Sequence, residues 1–163
     1  MLVWQPVYVG IGSNLGDSRA RVQAAVDALA ALPRTRFVAR SPLYVTRAYG
    51  PVEQPDFHNA VVGLLTREPL LPLFAALRTL EATLGRTPPR QRWGPREIDL
   101  DLLMFGRLRH ADEQLTLPHP GIAVRDFVLH PLRDLAPDLE VPGLGRVRDL
   151  AAVVPDRGLR RLD

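Results

Sequence analysis

Four segments of the chain alternate apolar with polar or small residues, with the period of two that is typical of β-strands. The first contains Val7, Val9 and Ile11 and runs into a glycine-containing turn at residues 12–16. Three more strands are predicted, at residues 35–46, 57–66 and 98–105. The second of the four contains Pro42, which cannot donate a hydrogen bond within a sheet, so we expect it at a sheet edge or with a bulge.

Two segments between these strands carry apolar residues at helical spacing. The first begins with Asp17 or Ser18 as its N-cap and stops at Pro33. The second opens at Pro69 and stops at Gly85. Their apolar stripes consist of Val22, Ala25, Val26 and Leu29 in the first helix, and of Leu70, Leu73, Phe74, Leu77, Leu80 and Leu84 in the second.

The resulting order, β-α-β-β-α-β, predicts an α+β fold of the ferredoxin-like type. In that architecture an antiparallel sheet carries its helices on one face and leaves the other face for an active site. The proline-rich residues after 105 are expected to form short turns, as a C-terminal decoration of the sheet. No repeat or linker interrupts the sequence, so we expect a single domain spanning residues 1–163.

Composition removes several classes of enzyme. All 21 basic residues are arginine, and the sequence contains neither lysine nor cysteine. The missing amine excludes Schiff-base, pyridoxal and Walker-type phosphate chemistry, and the missing thiol excludes thiol nucleophiles, disulfides and thiolate metal sites. A net charge of +3 does not by itself imply nucleic-acid binding. Because no apolar run could span a bilayer and the first residues lack the features of a secretion signal, we expect a cytoplasmic protein without membrane contact.

Asp99 and Asp101 are the sharpest local feature of the sequence. Residues two apart on a strand point to the same face, so both carboxylates would meet on the open side of the sheet, with Cα atoms roughly 6.5–7 Å apart. Such a pair can bind one or two magnesium ions together with phosphate oxygens. The ordinary alternative is an exposed strand edge whose acids are simply solvated.

In the loop before this strand (residues 86–97), the stretch from Arg86 to Arg96 has no acidic residue and contains Arg86, Arg90, Arg92 and Arg96. Forked guanidinium donors beside a metal site suit a polyphosphate, because they bind its oxygens and compensate charge in the transition state. Prolines stiffen the loop and Gly94 can act as a hinge, so we expect a lid. An arginine-rich loop is otherwise a solvated surface or a nucleic-acid contact. Next to the carboxylate pair, it favours a nucleoside triphosphate.

Phe57 and Asn59 form a second pair two residues apart, at the start of the third predicted strand. An aromatic ring and an amide on one face suit a flat heterocycle, the ring by stacking and the amide by its paired donor and acceptor atoms. The alternative is a core phenylalanine beside a turn asparagine. His119 could contact a phosphate or fill a turn, and the glycine-containing turn lacks the spacing of a dinucleotide-binding motif.

Taken in order, these segments resemble the 6-hydroxymethyl-7,8-dihydropterin pyrophosphokinase family of folate biosynthesis. The block from Arg92 to Leu102 is highly specific to that family, and the matches span residues 7 to about 140. The other matching segments are Gly12-Ser13-Asn14-Leu15-Gly16, Gln54-Pro55-Asp56-Phe57-His58-Asn59-Ala60, and Leu117-Pro118-His119-Pro120 with Arg125 and Phe127.

The resemblance implies an enzyme that transfers the β,γ-diphosphate of ATP to the hydroxymethyl group of the dihydropterin and releases AMP. ATP would be the co-substrate, and two Mg²⁺ ions would be bound by Asp99 and Asp101. Arg86 and Arg96 would stabilise the transferred group, while Trp93 would close the lid over the pterin.

The resemblance also divides the substrate contacts into two sets. The pterin would be bound by Thr46, Arg47, Tyr49, Phe57, Asn59, Trp93 and Phe127. ATP would lie along Glu81, Arg90, Leu102, Gln114, Thr116, His119 and Arg125.

Three positions depart from the family pattern. The loop after the second strand commonly has two prolines after its threonine, but here it reads Thr46-Arg47-Ala48-Tyr49. Pro88 stands where many members have an arginine, with Arg90 available as a substitute. Gln114 stands where arginine is frequent. These changes bear on pterin and phosphate contacts and leave the carboxylate pair intact.

Two other functions fit the same fold. An RNA-binding module of the RRM type would need aromatic motifs on strands one and three, of which only fragments are present, and the two acids would repel a phosphate backbone. A regulatory domain that senses a small ligand would leave the arginine-tryptophan loop unexplained. We therefore expect small-molecule substrates, no nucleic-acid partner and a monomer.

Overall fold

The computed structural model describes residues 3–47, 51, 53–85 and 97–162. Its strands are β1 (Gln5–Ser13), β2 (Thr35–Arg40), β3 (Tyr44–Thr46), β4 (Phe57–Thr66), β5 (Asp99–Phe105), β6 (His110–Ala111), β7 (Thr116–Leu117), β8 (Glu140–Val141), β9 (Gly145–Arg146) and β10 (Arg160–Arg161). Its helices are α1 (Ser18–Ala30), α2 (Leu70–Thr83), α3 (Asp126–Leu135) and α4 (Val147–Val153), with a 3-10 turn at Ile122–Val124. Within these residues, none of the helices has the length and apolar character needed to cross a membrane.

Among the residues described, the main sheet contains six strands, and every pairing in it is antiparallel. The strands β10, β3, β4, β1 and β5 follow one another across it, while β2 pairs with the other half of β4. The strand predicted at residues 35–46 is therefore split into β2 and β3. Pro42 causes the break because it has no N–H to donate. Ser41 bridges it, since its N–H donates to the Val61 carbonyl at 2.8 Å and its hydroxyl accepts from the Val61 N–H at 2.9 Å.

The two predicted helices pack on one face of this sheet. Helix α1 begins where the sequence predicted, because the Asp17 side chain accepts a hydrogen bond from the Ala20 N–H at 3.2 Å. The core on this face contains the predicted stripe of α1, together with Leu73 and Leu77 of α2, Val7, Val9 and Ile11 of β1, and Leu100 and Leu102 of β5. Alternate side chains of β1 and β5 are buried in this core, so the side chains between them point to the opposite face of the sheet.

The residues after 105 form more than the short turns that the sequence predicted. They contain α3, α4, two short hairpins and β10. A second buried core joins this region to the sheet and contains Val61, Leu103, Leu129, Leu132, Val147 and Ala151. Helices therefore pack on both faces of the sheet, and the expectation that one face carries all of them is wrong. Helix α3 was not predicted because Pro131 lies inside it, and a proline in a helical pattern usually ends the helix.

Candidate active site

A cavity of about 440 Å³ opens on the second face of the sheet, beside α3. Gly10 and Gly12 of β1 form part of its lining, while Val9 beside them is buried in the first core. A Cβ atom on Gly12 would lie 3.2 Å from Asn59 Oδ1, which is closer than ordinary van der Waals contact. Any side chain at this position would reduce the space for a ligand. Glycine therefore keeps that part of the cavity open.

Asp99 and Asp101 line one side of this cavity, as predicted for residues two apart on a strand. They lie beside the two glycines because β5 pairs with β1 at Gly12–Asp99 and Gly10–Asp101. Burial and the neighbouring Asp99 carboxylate raise the pKa of Asp101 to about 7, although the Arg125 guanidinium, 3.9 Å away, acts in the opposite direction. A carboxylate that is both buried and next to a second carboxylate is costly to ionise, so this position favours a bound proton or cation.

Side chains of α2 hold the backbone between the two carboxylates. The backbone N–H and carbonyl of Leu100 point to the outer edge of β5, where the N–H donates to Glu81 Oε2 at 2.8 Å and the carbonyl accepts a hydrogen bond from Arg78. Arg78 and Glu81 also form an ion pair with each other at 3.2 Å. These contacts fix the strand that carries the carboxylates. Glu81 is thus buried behind the site and does not line the cavity, so its predicted contact with ATP stays a prediction.

His119 lies where this cavity meets a second one. Its backbone N–H donates to the Leu103 carbonyl at 2.9 Å, which ties the residue to β5. Its ring Nδ1 accepts a hydrogen bond from the Gly121 N–H at 2.9 Å. Burial, assisted by the Arg125 charge, lowers the pKa of His119 to about 4. The ring is therefore neutral at pH 7, and because Nδ1 is an acceptor, its proton lies on Nε2.

The second cavity has a volume of about 250 Å³ and lies between α2 and the β6–β7 hairpin. Asp101 and His119 line both cavities, so the two spaces meet at these side chains. The predicted ATP contacts that line the second cavity are Leu102, Gln114, Thr116 and His119. Asp112 shapes the hairpin, since its Oδ1 accepts hydrogen bonds from the Gln114 N–H at 2.7 Å and the Leu115 N–H at 2.8 Å.

The predicted pterin contacts gather in the larger cavity. Thr46, Arg47, Phe57, Asn59 and Phe127 all line it, together with Arg125 from the predicted ATP set. Thr46 and Arg47 lie at the end of β3, whereas the carboxylates lie on β5, so the cavity spans roughly 14 Å of sheet between them. The sequence had placed these residues on separate segments, and the antiparallel pairing brings them together.

The turn after β1 connects two loops beside this cavity. Asn14 Nδ2 donates hydrogen bonds to Gln54 Oε1 and to the Pro55 carbonyl, both at 2.8 Å. The Ser13 hydroxyl donates to the Glu97 carbonyl. The turn thus fixes the starts of β4 and β5. These structural contacts account for its polar residues, so no dinucleotide-binding role is needed to explain them.

Five predicted site residues, and with them the predicted lid, lie outside the described residues, so their roles stay predictions: Tyr49, Arg86, Arg90, Trp93 and Arg96. Sequence reasoning missed two arginines, since Arg78 lines the second cavity and Arg157 lines the first. The spacing of Arg78 and Glu81 on one helix face could have indicated the first. Nothing local marks Arg157, which follows α4 and reaches the cavity only through the fold.

A comparison with known families supplies the decisive observation. The sequence model for 7,8-dihydro-6-hydroxymethylpterin-pyrophosphokinase (HPPK) matches residues 8–137. The chain belongs to this family. The resemblance seen in the sequence is thereby confirmed, and with it the expectation of a pyrophosphokinase of folate biosynthesis.

Relatives with HPPK activity in their names match nearly the whole chain. The 2-amino-4-hydroxy-6-hydroxymethyldihydropteridine pyrophosphokinase of Pseudomonas aeruginosa is 46% identical over 158 residues, covering 97% of this chain and 97% of the relative. The enzyme of the same name from Methylorubrum extorquens is 42% identical, covering 96% of this chain and 98% of the relative. Full-length agreement of this kind leaves no large insertion or deletion to explain.

Solved HPPK structures share the fold at low identity. The crystal structure of wild-type Plasmodium falciparum HPPK-DHPS with STZ-DHP matches with a TM-score of 0.70 at 13% identity, covering 92% of this chain and 43% of that chain. Nothing in these comparisons favours the RNA-binding alternative. The face that an RRM would use to stack bases here carries two carboxylates and is partly covered by α3.

Proposed function

We propose that the chain transfers the β,γ-diphosphate of ATP to the hydroxymethyl group of 6-hydroxymethyl-7,8-dihydropterin and releases AMP. Two cavities that meet at Asp101 and His119 are the observation that carries this proposal. Two substrates bound in them would face each other across the carboxylates. A direct, in-line transfer needs only that arrangement and charge stabilisation, without a covalent intermediate.

The pterin would occupy the larger cavity. Phe57 and Phe127 offer aromatic surfaces for its flat rings, and Asn59 offers an amide donor and acceptor for its edge. Thr46 and Arg47 would read the end of the ring system at β3, with Tyr49 assigned there by the resemblance alone. The hydroxymethyl group would then point towards the carboxylates on β5.

The carboxylate pair fits a divalent cation. Burial and, second, the Asp99 carboxylate raise the pKa of Asp101, and a cation held by the pair would favour the ionised form of both. In the part of the chain that the structure describes, no group of three or more acidic, histidine or cysteine side chains could hold a metal. Magnesium suits such a site because it binds few carboxylates and takes its other ligands from phosphate and water. We propose that Asp99 and Asp101 hold two Mg²⁺ ions, which when bound would neutralise charge on the polyphosphate.

ATP would occupy the second cavity and reach the first through its phosphates. The neutral His119 would donate its Nε2–H to a phosphate oxygen, and Arg125 would supply positive charge between the two substrates. Leu102, Gln114 and Thr116 would line the nucleotide. Arg86 and Arg96 for the transferred group, Arg90 for ATP and Trp93 for closure over the pterin are proposed from the resemblance alone.

The fold that carries the site can also be classified. We assign it to the ferredoxin-like type because the predicted strands lie in the order fourth, first, third, second across an antiparallel sheet, with α1 and α2 on one face. We also propose a monomer, since β10 covers the outer edge of β3 and α2 side chains bond the outer edge of β5.

Omission of single components tests the proposal. ATP consumption should require Mg²⁺ and 6-hydroxymethyl-7,8-dihydropterin together, and leaving out any one should reduce it to background. Asp101→Asn should abolish turnover, whereas Asp138→Asn, at an exposed acid paired with Arg148 away from the cavities, should retain it. ATP consumption that is the same with and without the pterin would contradict the proposal. So would the absence of ATP consumption when all components are present.

A further inference from the structure

Among the described residues, one charged side chain that lines the larger cavity, that of Arg157, is not among the predicted contacts. Arg157 follows α4 and lies beyond the residues 8–137 that match the family model. It also lines an adjoining groove, which it shares with Thr46, Arg47 and Arg160. Because Thr46 and Arg47 belong to the β3 end of the cavity, Arg157 lies at that end too, away from the carboxylates.

The backbone at Arg157 is tied to the wall of the cavity. Its N–H donates to Asp126 Oδ2 at 2.9 Å, and Asp126 is only 1% exposed. Asp126 lies between Arg125 and Phe127, which both line the cavity. Further along, β10 pairs with β3, so the backbone is held at Arg157 and again at residues 160–161. This places the Arg157 backbone at the rim of the cavity, within reach of a ligand bound there, while its side chain stays exposed.

The chemistry of the two ends of the cavity differs. The reacting hydroxymethyl group has to reach the carboxylates on β5. In a 6-hydroxymethylpterin, the pyrimidine ring is the half away from the hydroxymethyl group and would therefore lie towards β3. Its carbonyl oxygen projects from the long edge of that half. Arginine has only hydrogen-bond donors, so it can bind a carbonyl oxygen and cannot bind an amino group in the same position.

We infer that Arg157 is a further pterin-binding residue, which donates a hydrogen bond to the carbonyl oxygen of the pyrimidine ring. This inference rests on the proposed function, since it takes the pterin as the occupant of the larger cavity. It makes Arg157 a determinant of specificity. The site should prefer a 4-oxo pterin over a 2,4-diaminopteridine, in which a donor replaces the acceptor that Arg157 binds.

Calorimetric titration of the full chain with two ligands tests this assignment. The ligands are 6-hydroxymethylpterin and its 2,4-diamino counterpart, each added in the presence of Mg²⁺ and a non-hydrolysable ATP analogue. Arg157→Gln should weaken binding of the 4-oxo ligand by about tenfold and change binding of the diamino ligand little. Arg160→Gln is the matched control, because Arg160 lines only the adjoining groove, and it should bind both ligands as the wild type does.

The outcomes separate this inference from the proposed function. If wild type and Arg157→Gln bind the 4-oxo ligand equally, or if the variant loses the same factor for both ligands, the assignment of Arg157 is wrong while the enzyme assignment stands. If the wild type binds neither ligand, the proposed function fails and this inference fails with it. A melting temperature for each variant confirms that the comparison is made between folded proteins.

Discussion

At the scale of single residues, most of the proposed chemistry depends on Asp99 and Asp101. They lie next to Gly10 and Gly12, which form part of the floor of the larger cavity. Asp99→Ala and Asp101→Ala should each lower kcat by at least about 100-fold, because losing a metal ligand removes several kcal/mol of charge stabilisation. The fold should survive, since each change removes one of two mutually repelling charges. Steady-state kinetics and thermal melting check both parts. A variant with wild-type, Mg²⁺-dependent turnover would refute the metal assignment.

The raised pKa of Asp101 predicts a pH dependence of stability in metal-free protein. Asp101 keeps its proton up to about pH 7 in the folded chain, whereas its ordinary pKa is 3.8. Between these values the folded state binds more protons than the unfolded state, so stability falls as the pH rises. With a chelator present, Asp101→Asn should exceed the wild type in free energy of unfolding at pH 8 by about 1–2 kcal/mol, after allowance for solvent screening, and lose this advantage near pH 4. Urea denaturation at both pH values measures it, and equal stability at pH 8 would be the contrary result.

Gly12 predicts a specific effect on the pterin. In Gly12→Ala the new Cβ would press on the Asn59 amide oxygen at 3.2 Å, so the KM for the pterin should rise by about tenfold while the KM for ATP stays near the wild-type value. Gly10→Ala is the control, because its Cβ would meet Leu103 at an ordinary 3.6 Å. Equal effects of the two substitutions on both KM values would contradict this account of the cavity floor.

Local sequence was enough to predict some site residues and not others. Asp99 and Asp101, like Phe57 and Asn59, lie two apart on one strand, so strand geometry alone places each pair on one face. The meeting of these pairs in one cavity depends on the register of β1 with its two neighbours, which no local pattern specifies. Arg157 depends on still more, since only the return of the chain after α4 brings it to the cavity.

Helices and strands, at the next scale, were predictable where periodicity and chain breaks agree. α1, α2 and β4 match their predicted positions because their apolar spacing is uninterrupted and their caps are marked. Two of the failures involve proline. Pro42 splits one predicted strand, and Pro131 lies inside a helix whose stability comes from packing on the sheet. Tertiary contacts of this kind cannot be read from propensity.

The packing of α3 on the second face gives an element-level prediction. Leu129→Ala should lower the free energy of unfolding by about 2–5 kcal/mol, because Leu129 is fully buried in the second core and its loss leaves a cavity. Val153→Ala in α4 is the matched control, since Val153 is 78% exposed, and it should change stability by less than about 0.5 kcal/mol. Chemical denaturation measures both. A Leu129→Ala protein as stable as the wild type would mean that α3 does not pack as described.

In the whole molecule, one sheet separates two cores and carries the site at their boundary. The first core supports β1 and β5 from behind, and the second holds α3 against the opposite face, where the larger cavity opens beside it. Residues after 118 therefore build one wall of the cavity, while the sheet strands β1, β3, β4 and β5 build its floor. This division explains how residues from distant segments can act on two substrates at once.

The identity of the nucleotide product tests the central claim most directly. Purified protein would be incubated with ATP, Mg²⁺ and 6-hydroxymethyl-7,8-dihydropterin, and the products separated by chromatography and assigned by phosphorus NMR. Attack on the β-phosphorus predicts AMP and a pterin diphosphate in a one-to-one ratio. The formation of ADP with a pterin monophosphate, or of AMP with free pyrophosphate and unchanged pterin, would contradict the account.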